Sequence, residues 1–121
     1  MIYHKFHKIP LYFGEIHIFV HNNFKEVNEK FNLGLTDDFY KGYEGLVWNF
    51  DKPNGYSRYF ILLEEDVSLK VIVHESKHLV NNIFNDRGIK LDLYNDEPEC
   101  YLLGWVFETI QKDYEKFKKS K

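Results

Sequence analysis

The sequence holds a single cysteine, Cys100, so an internal disulfide framework is excluded. No stretch of about 18 consecutive apolar residues occurs, which excludes a conventional membrane-spanning helix. There is no basic excess. Sixteen Lys and Arg stand against nineteen Asp and Glu, a formal charge of −3, which argues against a sequence-independent nucleic-acid binder. The first fourteen residues are broken by His4, Lys5, His7 and Lys8 and lack the apolar block of a secretory signal. Internal repeats and low-complexity tracts are absent. The expectation is a soluble cytoplasmic protein with neither a nucleic-acid nor a membrane partner, and 121 residues suit one domain spanning 1–121.

Aromatic residues are abundant, at 18% with nine Tyr and eleven Phe, and point to bulky packing in a core, groove or interface. Residues 2–9 are rich in aromatic and β-branched side chains, and Pro10 interrupts them. Residues 11–21 alternate, with Ile16, Ile18 and Val20 on one side and Glu15, His17 and His21 on the other, the period of a half-buried strand. Asn23 followed by Glu26 reads as the capping box of a short helix carrying Phe24, Val27 and Phe31. Residues 46–50 and 56–63 read as strands joined by the turn Lys52-Pro53-Asn54-Gly55.

From Asp66 the period changes to that of a helix. Asp66 is a candidate N-cap for a helix reaching Asp86, with Gly88 beyond its end. Its expected apolar stripe is Leu69, Ile72, Val73, Val80, Ile83 and Phe84. A last helix starts at Asp96 or Glu97, with Pro98 in the first turn, and reaches Lys118. Strands first and helices last predict an α+β fold, a small antiparallel sheet packed against these two helices.

The first of the long helices contains His74-Glu75-Ser76-Lys77-His78, an H-E-x-x-H motif. Residues four apart lie one above the other on a helix, so two imidazoles can reach one metal ion. Glu75 lies about 100° round from His74, able to reach an ion-bound water without being a ligand. Zinc accepts two histidine nitrogens and a third protein ligand and keeps one position open. It lowers the pKa of bound water toward about 7, and a neighbouring glutamate then serves as general base. The helical projection turns both histidines away from the apolar stripe, toward Val67 and Val71, and leaves Lys70, Lys77 and Asn81 to solvent. A third ligand is sought among Asp92, Asp96, Glu97 and Glu99. Glu97 shares a side of its helix with the small residues Cys100 and Gly104, which would let the histidine helix approach closely. Glu99 stands over the apolar stripe Leu103, Val106 and Ile110, where an unpaired carboxylate is costly, and is the rival.

The segments Val71-Ile72-Val73-His74-Glu75-Ser76-Lys77-His78 and Asn95-Asp96-Glu97-Pro98-Glu99-Cys100-Tyr101-Leu102-Leu103-Gly104-Trp105 together resemble the small zincin-like metallopeptidases of phages and prophages, and more distantly the gluzincins. The resemblance covers residues 66–108. It implies His74 and His78 as zinc ligands, Glu97 as the third ligand and Glu75 as general base. It also implies a peptide or protein substrate held as an added strand on a sheet edge. Residues 56–63 are the candidate strand near the cleft. Cys100 departs from the small residue usual there. A non-catalytic, metal-binding accessory or interaction protein of a phage is the alternative.

The remaining clusters have plainer readings. Strand spacing separates His4 from His7 and keeps His17 about 13 Å from His21, so solvated histidines are expected. Cys100 lacks a neighbouring cation and reads as a packed small residue. Tyr94 and Tyr101 could donate to an oxyanion but read first as packing. Asp37-Asp38 and Glu64-Glu65-Asp66 lack calcium-loop spacing and read as turns or caps. The sequence leaves the oligomeric state open.

Overall fold

The computed structural model describes residues 2–36, 44–51 and 54–120. In chain order its elements are β1 (Ile2–Lys8), β2 (Gly14–His21), α1 (Phe24–Lys30), β3 (Gly45–Asp51), β4 (Ser57–Glu64), α2 (Leu69–Asp86) and α3 (Glu97–Lys119). The strands form one sheet in the order β1-β2-β4-β3. β1 pairs antiparallel with β2, and β3 with β4, but β2 and β4 run parallel.

The fold is α+β, but its sheet is mixed rather than antiparallel. Each hairpin follows from a short turn, whose second strand must run back along the first. Between the hairpins the chain passes through α1 and re-enters at the far edge as β3. The inner arm, β4, then lies beside β2 in the same direction. Hydrophobic alternation records which face a residue takes, not which arm of a hairpin becomes interior.

Alternation along the strands divides the sheet cleanly. Ile16, Ile18, Val20, Tyr59, Ile61 and Leu63 are buried toward α2 and α3, joined by Ile72, Leu79, Ile83, Leu102, Val106 and Ile110. The opposite face carries a smaller cluster of Phe19, Val27, Phe60 and Leu62, part-covered by Phe24 of α1 and by Phe31 and Leu33 beyond it. Asn23 caps α1, its side chain accepting from the Glu26 amide at 3.0 Å. The side chain of Asn28 then holds Leu35 by two hydrogen bonds, 2.7 and 3.0 Å.

α2 begins later than the sequence suggests. Ser68 is its N-cap, and Asp66 instead pairs with Lys118 Nζ at 2.8 Å. The buried side of α2 is also rotated. It comprises Ile72, Glu75, Ser76, Leu79, Val80, Ile83 and Phe84, while Leu69 and Val73 are about half exposed, at 56% and 47%. Gly88 follows the helix with φ +69°, the left-handed conformation in which helices commonly end. The α2 C-terminus is anchored to the sheet through Asp86, which accepts from Tyr59 Oη at 2.6 Å and Asn49 Nδ2 at 3.4 Å. Among the described residues no helix is long and apolar enough to cross a membrane.

Candidate metal centre

His74 and His78 lie one turn apart on α2, both exposed. Their Nε2 atoms are 3.1 Å apart and their rings nearly perpendicular, at 78°. Two nitrogens bound to one tetrahedral zinc at 2.0–2.1 Å stand about 3.3 Å apart. The pair therefore fits two ligand positions of a single ion. Without an ion the same separation suits a hydrogen bond from one Nε2–H to the other nitrogen.

Glu75, the next residue round the helix, is buried at 8% exposure. It packs against Gly45 at the start of β3. A Cβ at position 45 would stand 2.9 Å from Glu75 Cγ and 3.3 Å from Val71 Cγ1. The missing side chain of Gly45 is thus what admits the carboxylate between helix and sheet. Desolvation raises the pKa of Glu75, and the nearby His78 and His74 oppose that shift. Ser76, also buried, is satisfied within α2 by donating to the Ile72 carbonyl at 2.7 Å.

The first turn of α3 lies beside this part of α2, because Lys77 pairs with Glu99 at 2.6 Å. The packing expected through Cys100 and Gly104 does not occur. Cys100 is exposed, and open space surrounds Gly104, with nothing within 4 Å of a Cβ built there. The buried stripe of α3 is Leu102, Val106, Ile110, Asp113 and Phe117, and Glu99 heads that stripe, half-buried. Glu97 lies about 200° away around the helix, exposed, beside a cavity lined by Pro10, Tyr12, Tyr101 and Trp105. Among the described residues no three His, Cys, Asp or Glu side chains are gathered into a group that could hold a metal ion. The structure thus brings His74 and His78 together and Glu75 beside them. It does not draw Glu97 into that group, and it ties Glu99 to Lys77.

Of residues 56–63, expected near the cleft, 57–63 belong to the interior strand β4. The edge strand on the α2 side is β3, whose Gly45 touches Glu75. Tyr94 and Tyr101 are largely exposed, at 100% and 76%. The Cys100 thiol is raised above its ordinary pKa by desolvation and by the carboxylates of Asp96, Glu97 and Glu99, the opposite of an activated nucleophile. The acidic run 64–66 makes structural contacts, the Glu65 carbonyl accepting from Tyr114 Oη at 2.7 Å. Asp37 and Asp38 lie outside the described residues.

The strand histidines are not the solvated groups the sequence suggests. His7 Nε2 meets Asp113 Oδ2 of α3 at 2.8 Å, and Tyr3 Oη donates to Asp113 Oδ1 at 3.1 Å. Asp113 is buried at 1% exposure. That environment pushes Tyr3 up to about 12, desolvation first and the Asp113 charge second. On the other face of the sheet His4 Nε2 meets His17 Nδ1 at 2.9 Å, and His17 Nε2 meets Glu15 Oε2 at 2.7 Å. Alternation alone places Glu15 and His17 on one face, but their partner His4 follows only from the β1–β2 register, in which Phe6 pairs with His17 and His4 with Phe19. No protein-family model, curated protein or solved structure matches the chain.

Proposed function

We propose that the protein is a zinc-dependent peptidase or amide hydrolase centred on His74, His78 and Glu75. The observation that carries this reading is the convergence of two exposed imidazole nitrogens to 3.1 Å beside a buried carboxylate. His74 and His78 would hold the ion. The third protein ligand would be a carboxylate from the first turn of α3. Glu97 is the residue the sequence resemblance implies, and Glu99 is the one held against α2. Bound there, zinc would acidify a water and polarise a substrate carbonyl.

The chain's own residues would then divide the work. Glu75, fixed between α2 and Gly45, would accept a proton at a carboxylate oxygen and return it to the departing amine. The free side of β3 would offer backbone N–H and C=O groups to an extended peptide segment. Loss of a Cβ at Gly45 would keep the general base close to that edge.

The test is metal content followed by activity. Protein purified without chelator should carry about one equivalent of zinc, and less than half an equivalent would overturn the reading. Glu75→Gln should keep the metal and lose hydrolysis of a casein or mixed-peptide substrate. Undiminished hydrolysis would remove Glu75 from its role. The second reading, a metal-binding accessory protein without catalysis, is favoured by the two-histidine composition of the gathered site. Zinc bound stoichiometrically with the fourth position closed to small anions would select it.

A further inference from the structure

We propose that a cavity on the sheet's outer face is a binding site for a small planar aromatic carboxylate. A cavity of about 360 Å³ opens there, ringed by His4, His17, Phe31, Phe50, Arg58 and Phe60. That volume lies within the ordinary range for small-molecule sites. It is on the side of the sheet away from α2, so it is separate from the candidate metal centre and does not rest on it.

Three features specify the ligand. The first is flat, parallel aromatic surface. His4 stacks on Phe19 with centroids 4.5 Å apart, and His17 on Phe60 at 4.9 Å. Such walls favour a planar ring over an aliphatic one.

The second is rigidity. Glu15 accepts from His17 Nε2–H, which leaves His17 Nδ1 to accept from His4 Nε2–H in the neutral pair. The relay holds both imidazoles nearly parallel, at 10°. Walls held this way lose little freedom when a ligand enters.

The third is a guanidinium in the cavity wall. Arg58 reaches over the Phe60 ring, 5.7 Å from its centroid. Its Nε is shielded from solvent and has no hydrogen-bond partner among the described residues. Glu15 is its register neighbour on β2 and spends one carboxylate oxygen on His17, at 2.7 Å. A guanidinium lying among rings in a cavity wall suits a carboxylate, which it can hold by a charge-assisted hydrogen bond. The chain's net charge of −3 disfavours a nucleic-acid polyanion in its place.

The experiment follows the side-chain Nε–H resonance of Arg58 and the backbone amides in ¹H–¹⁵N spectra of the full chain. The probes are 2-naphthoate, its neutral amide and cyclohexanecarboxylate. Naphthoate should shift Arg58 Nε–H together with the amides of His17 and Phe60, and saturate below about 1 mM. The amide and the alicyclic acid should each bind about tenfold more weakly or worse, a comparison made on the unaltered protein. Arg58→Gln should lower naphthoate affinity by about tenfold and leave the amide unchanged. Absence of shifts at millimolar naphthoate, equal affinity for acid and amide, or shifts centred on Tyr101 and Trp105 would each overturn the proposal.

Discussion

Two histidine pairs occupy the two sides of this sheet, and their nitrogens are almost equally close. His74 and His78 stand 3.1 Å apart on α2, and His4 and His17 stand 2.9 Å apart across β1 and β2. Their surroundings differ. The strand pair is half-buried, stacked among aromatic rings and finished by a carboxylate at 2.7 Å that fixes its hydrogen-bond order. The helix pair is exposed, and its neighbouring carboxylate, Glu75, turns into the interior against β3. A completed hydrogen-bond chain suits proton order and rigid walls. A pair left open to solvent suits a ligand shared between the two rings.

The largest expected effect separates the pairs by metal. Zinc affinity, measured against a chromogenic competitor, should fall at least about 100-fold in His78→Ala and stay within about threefold in His17→Phe. Equal losses would break the contrast between the two pairs.

Acid should act on the other side of the sheet. His21 is buried at 1% exposure, and desolvation pushes its pKa down to about 4, opposed by Glu65. Burial likewise lowers His4, with His17 adding to the shift. A depressed histidine takes up its proton more readily when unfolded. Its contribution is therefore constant above the unfolded value of about 6.5 and is lost as pH falls from there toward 4, by up to about 3 kcal/mol for His21. Urea denaturation from pH 7 to pH 4 should show that slope, and His21→Asn should flatten it. Parallel curves would exclude His21 as its source.

Gly45→Ala tests how Glu75 is held. A methyl group 2.9 Å from Glu75 Cγ should cost about 1–3 kcal/mol by overpacking. It should reduce hydrolysis while zinc content is kept. A variant as active as the parent would detach Glu75 from the β3 edge. The smallest effect concerns the ion pair of Lys77 and Glu99. Lys77→Met should change stability by no more than about 1 kcal/mol, since ion pairs that solvent still reaches contribute little. Its use lies in what it frees. If Glu99 is the third ligand, zinc should bind more tightly in Lys77→Met and more weakly in Glu99→Gln. If Glu97 is the ligand, only Glu97→Gln should weaken it.

The helix pair was legible because its geometry is local. A spacing of four on a helix is a distance, so the sequence alone places His74 above His78. The strand pair was not legible, because His4 and His17 meet only once β1 and β2 adopt their register. The same rule separates the β3–β4 hairpin, which turn chemistry marks in the sequence, from the parallel pairing of β2 and β4, which depends on where that hairpin inserts. The start of α2 was misplaced because Asp66, a good capping residue, is engaged by Lys118 more than fifty residues later. Helical projection gave the apolar side of α3 only approximately. Asp113 sits within the buried stripe because Tyr3 and His7 supply its hydrogen bonds, and nothing near it in sequence announces them.

That acid also orders events in time. Its partners stand 110 and 106 residues away, so the contact is among the non-local ones that form late in folding. During synthesis β1 leaves the ribosome with its tyrosine and imidazole meeting only water, and it must wait for more than a hundred further residues before α3 can dock across it.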